Sequence, residues 1–289
     1  MSSLLIAILC SVAVSVFLKI ARSQQIVISQ AIACNYLMAS TLTYFVLQPD
    51  FMGLSFSDAI RQNEHSAIFL LLGFLLPTIF LVMAKAVEIS GIARADAAQR
   101  LSLFLPILAA FLFFHETLTT QKGLAIFCAF LALFALVFKS NQQQHNGNGI
   151  KSFLLLVLVW FGYGVIDILF KQIAKFGVAF PFALFTSFVI AGCFIFAYLI
   201  FTKTRWQGKS MLAGLVLGAL NFLNILFYIK AHQQLSENPS LVFAGMNIGV
   251  MILGAIIGLV GFKEKLNKVN FFGIALGIVA IILLLVPVL

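Results

Sequence analysis

Apolar residues run along this chain in long blocks, separated by short clusters of polar and charged ones. Ten blocks stand out, over roughly residues 2–20, 27–47, 66–87, 91–113, 120–139, 150–175, 180–201, 209–233, 238–260 and 267–288. A helix that spans a bilayer needs about 20 consecutive, mostly apolar residues. The pattern therefore predicts an all-α integral membrane fold of ten transmembrane helices and leaves almost no chain for an aqueous domain. The first block has no basic n-region and no small-x-small cleavage site, so it is expected to remain a helix of the mature protein.

The pattern occurs twice. Phe114-His115-Glu116-Thr117-Leu118 precedes one apolar helix and Phe262-Lys263-Glu264-Lys265-Leu266 precedes another. A constant shift of 148 positions lays Phe114 on Phe262, Glu116 on Glu264, Leu118 on Leu266 and Ala132 on Ala280. Near the start of each half, Leu18-Lys19-Ile20-Ala21 echoes Phe170-Lys171-Gln172-Ile173-Ala174. A membrane chain of two similar halves is the usual plan of a carrier, with the substrate site where the halves meet.

Between the halves, residues 139–151 are polar, rich in Asn and Gly and flanked by Lys139 and Lys151, as a flexible linker should be. The expected division is a five-helix repeat over 1–140, a linker over 141–149 and a second five-helix repeat over 150–289. An odd number of helices per half inverts the second half in the bilayer, the arrangement alternating access requires. Lys19, Arg22, Lys139, Lys151, Lys203, Arg205, Lys209, Lys263, Lys265 and Lys268 lie in or beside the loops after blocks 1, 5, 7 and 9, whereas the loop 48–65 on the other side carries Asp50, Asp58 and Glu64. By the positive-inside rule both termini are expected outside the cytoplasm.

Composition agrees with a lipid solvent. Hydrophobic residues make up 62% of the 289 and charged residues only 9%, with Phe alone occurring 32 times, whereas soluble domains carry about 25% charged residues. The net charge of +9 is read as loop Lys and Arg of a membrane protein, not as a nucleic-acid interface. Cys10, Cys34, Cys128 and Cys193 all fall inside apolar blocks without metal-site spacing and are expected to be packing residues. Gly214/Gly218, Gly245/Gly249, Gly254/Gly258 and Gly273/Gly277 repeat at four-residue spacing, which lets helix backbones approach in lipid.

Ionisable groups inside apolar blocks are the sharpest clues, because each costs about 2.5–3.5 kcal/mol near a helix centre. In the fourth block, Asp96, Gln99 and Arg100 share a face with Leu103, and Asp96 and Arg100 can pair at i,i+4. Arg100 lies about 13 Å into that helix at 1.5 Å per residue, near the midplane. It suits a carboxylate or phosphate anchor, with Asp96 as proton or cation acceptor; a mutually neutralising structural pair is the other reading. In the sixth block Tyr163, Asp167 and Lys171 follow at i, i+4 and i+8, matched by Ser11, Ser15 and Lys19 in the first. In the eighth, Asn221, Asn224, Tyr228 and His232 fall within one stripe of about 80°, which lines either a wet cavity or a polar helix seam. Thr78, Lys85 and Glu88 form a gate or a plain surface pair. Asn35 and Asn247 are single polar residues suited to interhelical hydrogen bonds. Glu116 and Glu264 suit helix starts, where exposed amides favour a carboxylate.

No spacing suggests an enzyme: there is no Gly-x-Ser-x-Gly, no His-Glu-x-x-His, no phosphate-cradling glycine loop and no metal cluster. No cofactor is expected. No ATPase domain is present, so transport would run on a gradient, with His232, Asp96, Asp167 and Glu88 as candidates for coupled protons, or by exchange with a counter-substrate.

The run Ala93-Arg-Ala-Asp-Ala-Ala-Gln-Arg-Leu-Ser-Leu-Phe-Leu-Pro106, then Phe114-His-Glu116-Thr-Leu118 and a Gly/Ala-rich helix, resembles the EamA-type domain of the drug/metabolite transporter superfamily. That domain shows a small-residue helix, a proline, then Gly-Glu-x-Leu before its last helix. Phe262-Lys-Glu264-Lys-Leu266 and the Gly273/Gly277 helix repeat the pattern, so the resemblance covers the whole chain. It implies secondary transport, often export, of small metabolites such as amino acids, or of drugs, from a central cavity open to one side at a time. Two departures stand out. The family usually has alanines at Arg94, Asp96 and Arg100, which points here to a more polar substrate. It also has cytoplasmic termini, the reverse of what the loop charges argue.

The expectation is thus a secondary active transporter in a bacterial inner membrane, a monomer or homodimer. It would move a small polar or charged metabolite, an amino acid or organic anion. An exporter of organic cations, with Asp96 or Asp167 as counter-charge, and a lipid translocase are the alternatives.

Overall fold

The computed structural model describes residues 2–90, 92–137, 149–261 and 268–285. Among them every regular element is helical. With no water in a bilayer core, each backbone N–H and C=O needs a partner within its own segment, and helices supply it. The order is α1 (Ser2–Ser23), α2 (Ile28–Leu42) prolonged by a π-helical turn (Thr43–Leu47), α3 (Phe56–Gln62), α4 (Ser66–Ser90), α5 (Ile92–Leu101), α6 (Phe104–Leu112), α7 (Thr120–Val137), α8 (Gly149–Ala174), a 3-10 turn (Gly177–Ala179), α9 (Phe180–Phe201), α10 (Gly208–Gln234), α11 (Pro239–Gly261) and α12 (Lys268–Leu285). By length and composition, five described spans can cross a membrane: Ser66–Ser90, Ile150–Ala174, Phe180–Phe201, Gly208–Gln234 and Pro239–Gly261. The apolar stretches Ser2–Phe17, Ala98–Leu112, Thr120–Ala135 and Phe271–Leu284 are shorter.

Two expectations need correction. The fourth block is two helices, not one. Pro106 has no N–H to give, so the carbonyl of Ser102 takes Leu105 N instead, at 3.0 Å. That leaves the Leu101 carbonyl without its own i+4 donor, and the indole of Trp160 on α8 donates to it at 3.0 Å. The loop 48–65 is also not plain loop. Ser55 caps α3, its hydroxyl accepting from Asp58 N at 3.3 Å, and a cap of this kind is worth about 1 kcal/mol. Residues 141–148 of the expected linker and the Phe262–Leu266 repeat motif lie outside the described residues, as do the side chains of Lys19, Arg22, Arg94 and Asp96, while Gly149, the linker's last expected residue, opens α8.

Two helix groups face one another. In one, α10 packs against α1 and α2, and α1 against α11; in the other, α4 packs against α8 and α9, and α8 against α5 and α6. The groups meet where α2 touches α9, α8 touches α10 and α6 touches α11, while α7 and α12 pair alongside. Each group draws helices from both halves of the sequence. Glycine sets the closest seams: a Cβ at Gly214 would lie 2.4 Å from the Ala31 carbonyl oxygen, and one at Gly218 2.5 Å from that of Asn35. Gly73 does the same between α4 and α9, 2.9 Å from the Ser187 carbonyl. Gly254 meets nothing within 4 Å, so the four-residue spacing alone does not mark a seam.

Candidate functional site

Between the two groups lies a run of polar side chains inside an apolar interior. Tyr163, Asp167 and Lys171 follow one another down α8; Asn221, Asn224, Tyr228 and His232 do so down α10. The Tyr228 hydroxyl donates to Asp167 Oδ1 at 3.2 Å, joining the two helices. Asp167 is half-buried. Among the described residues no Lys, Arg or His nitrogen comes within ion-pair distance of it.

Lys171 does not neutralise Asp167, although the two are one turn apart. Its side chain turns away, and its ammonium donates to the carbonyls of His232 at 3.4 Å and Ser236 at 3.3 Å. These carbonyls close the C-terminal end of α10, where the helix dipole favours a cation. Lys171 is 2% exposed, so it works as a buried cap between helices more than as a cavity wall. Nearby, the Lys175 ammonium sits 4.5 Å from the Phe114 ring centroid.

His232 is 1% exposed and wedged between Tyr228 and Phe243, with ring centroids 4.8 and 4.7 Å away. Neither of its ring nitrogens has a hydrogen-bond partner among the described residues. Asn224 Oδ1, Asn35 Oδ1, the Tyr36 hydroxyl and the Thr186 hydroxyl share that condition. Burying such a group unpaired is costly. Tyr36 is fully buried on α2 against Phe188. Asn221 is half-buried on the same α10 stripe.

On α5, Gln99 and Arg100 are half-buried just before the helix break, and the Gln99 carbonyl accepts from the Ser102 hydroxyl at 2.6 Å. Asp96 lies on the same helix, its side chain outside the described residues. Of the two readings of Lys85 and Glu88, a gate or a plain surface pair, the geometry is that of an exposed pair, 2.7 Å apart with side chains 48% and 65% exposed. Asn247 bonds its own helix, to the Phe243 carbonyl at 3.1 Å, and not a neighbour. The four cysteines are unpaired, and no metal-holding cluster occurs among the described residues. A separate pocket of about 310 Å³ sits at the π-helical turn, lined by Tyr44, Phe45, Gln48, Pro49 and Phe51; it is aromatic and shares no residue with the polar run.

Sequence reasoning missed three features. Tyr36 and Thr186 are lone polar residues in apolar blocks and carry no periodic signal. Glu116 does sit at a helix start, but the helix is α11 of the other half: Glu116 Oε2 accepts from Ser240 N at 2.9 Å and Oε1 from the Ser240 hydroxyl at 2.5 Å. Lys122 completes the set at 2.9 Å.

No family model matches the chain. A protein of Haemophilus influenzae, named only as uncharacterized, is 59% identical over 281 residues, which cover 97% of this chain and 96% of that one. The two chains belong to one family. A solved crystal structure, titled only as that of a protein, superposes with a TM-score of 0.67 at 16% identity, covering 98% of this chain and 96% of the other. At that identity the likeness shows a shared helical fold.

Proposed function

We propose that this protein is a secondary active transporter of the bacterial inner membrane. It moves a small polar or charged metabolite by alternating access. Its helices form two inverted five-helix repeats of the EamA type. The observation that carries this reading is the polar run itself: Asp167 of α8 is bonded to Tyr228 of α10, His232 packs against Tyr228, and the Tyr36 hydroxyl, Asn224 Oδ1 and both His232 ring nitrogens are buried without a hydrogen-bond partner among the described residues. Intramembrane ionisable residues are kept for such tasks.

The packing supports the inverted repeat. Matching the first-half blocks in order with the second-half ones pairs α1 with α8, α2 with α9, α4 with α10, α5–α6 with α11 and α7 with α12. The contact α2–α10 then becomes α9–α4, α1–α10 becomes α8–α4, and α1–α11 becomes α8 with α5–α6, while α2–α9, α6–α11 and α7–α12 map onto themselves. All of these contacts are made.

The substrate is an amino acid or organic anion, with Arg100 as anchor and Gln99 and Asn221 near its path. A second reading, an organic cation, is favoured by Asp167, a carboxylate whose one hydrogen bond among the described residues comes from a neutral phenol. Uptake into proteoliposomes of succinate, alanine and putrescine, each radiolabelled, separates the two. Saturable movement of the first or second supports the anchor at Arg100, and movement of putrescine alone supports Asp167. No saturable movement across a wider panel of such solutes would refute the carrier assignment.

A further inference from the structure

At one end of the bundle, α8 and α10 finish and α7 and α11 begin. Contacts between the two helix groups crowd there. Lys171 reaches the carbonyls of His232 and Ser236; Gln233 Nε2 donates to the Ala174 and Gly177 carbonyls at 3.3 and 3.4 Å; Glu116, in the loop between α6 and α7, grips the start of α11. At the opposite end the polar links are of another kind. Gln30 Nε2 donates to the Arg205 carbonyl at 2.6 Å and its Oε1 accepts from Gln207 N at 2.9 Å, tying α2 to the α9–α10 connection. The Ser90 and Ser152 hydroxyls, 2.7 Å apart, bond within the second group.

Glu116 is the centre of the crowded end. Its side chain has no exposed surface, and it takes a charged partner, Lys122, together with both the backbone amide and hydroxyl of Ser240. A carboxylate at a helix N-terminus meets unpaired amides and the positive end of the dipole. Three hydrogen bonds to one buried anion make a contact that is strong while dry and weak once water reaches it.

We propose that Glu116 is the gating residue of this end: its grip on Ser240 and Lys122 holds α11 against the α6–α7 loop and seals the polar run from the solvent on that side. The Lys171 cap on α10 closes the same end beside it. Opening requires Ser240 to leave Glu116, and weakening that contact shifts the population towards the form open here. This rests on the carrier reading for its purpose, but the gate is testable without transport.

The test uses the full-length protein in oriented vesicles, in a background where the four native cysteines are replaced and Asn224 is Cys. A membrane-impermeant maleimide is applied from each side in turn. With Glu116 intact, labelling from the sealed side is slow; Glu116→Gln raises it by about tenfold, the loss of one strong charged contact. Ser240→Ala, which leaves the Glu116–Lys122 pair in place, raises it less. If Glu116→Gln fails to fold, Ser240→Ala decides alone. Lower thermal stability with labelling from that side unchanged would mean a structural cap and overturn the proposal. Increased labelling of the reporter protein, when the parent that keeps Asn224 moves no solute, would sink the carrier reading and keep the gate; transport by that parent without altered labelling would do the reverse.

Discussion

Replacing Gly214 with Ala tests the seam that positions the α10 stripe against α2. The added methyl would meet the Ala31 carbonyl oxygen at 2.4 Å, Cys34 Cβ at 2.6 Å and Ala31 Cα at 2.8 Å. Ordinary contact starts at 3.4 Å, so the two backbones must part by about 1 Å, and two of the three obstacles are backbone atoms that cannot rotate aside. Overpacking of this kind costs about 1–3 kcal/mol, against a helix-propensity gain of about 0.5–1 kcal/mol for Gly to Ala. Gly254→Ala is the control: its methyl meets nothing within 4 Å, so the propensity gain stands alone. The assay is thermal unfolding of the purified protein in mild detergent. Gly214→Ala is expected to melt about 2–8 °C lower, and Gly254→Ala at or slightly above the parent. Equal melting temperatures for the two variants would refute the close-packed α2–α10 seam.

Arg100→Ala should abolish transport while leaving folded protein in the membrane, checked by uptake and by gel filtration; normal uptake kinetics would remove Arg100 from the site. Asp167→Asn keeps shape and the contact with Tyr228 but loses the charge. For a cationic solute such as putrescine it should weaken binding by about 10–150-fold, the range of a charged hydrogen bond, with little change in melting temperature. Unchanged putrescine binding would count against a cation at that carboxylate. Lys85→Ala breaks an exposed pair and should change stability by under about 0.5 kcal/mol and leave transport untouched; lost transport would restore the gate reading of Lys85 and Glu88.

Much of this architecture is legible from residues. Long apolar blocks predict helices because the bilayer admits little else, and the α10 stripe of Asn221, Asn224, Tyr228 and His232 follows from the 3.6-residue period. What periodicity cannot give is the partner. Lys171 is placed beside Asp167 by spacing, yet it takes the α10 carbonyls, because a helix end 61 residues away in sequence offers it a dipole and two acceptors. Glu116 is legible as a helix-start carboxylate, but Ser240 lies 124 positions on, and only the packing of the halves selects α11 over α7. The break in the fourth block was written in Pro106; the block's unbroken hydropathy hid it. Tyr36 and Thr186 show the opposite failure, since a lone polar residue in an apolar run has no pattern to reveal it.

The central claim is that polar groups from two helix groups face one shared, wetted interior. Single-cysteine accessibility measures it directly. Asn221→Cys, Asn224→Cys and Tyr163→Cys, in a background with the native cysteines replaced, are expected to react with a water-soluble thiol reagent in vesicles. Leu223→Cys and Phe161→Cys, whose parent side chains are 39% and 55% exposed on the outer surface, should stay unreactive because that surface meets acyl chains. Reactive Leu223 and Phe161 positions beside inert Asn221, Asn224 and Tyr163 positions would contradict the account.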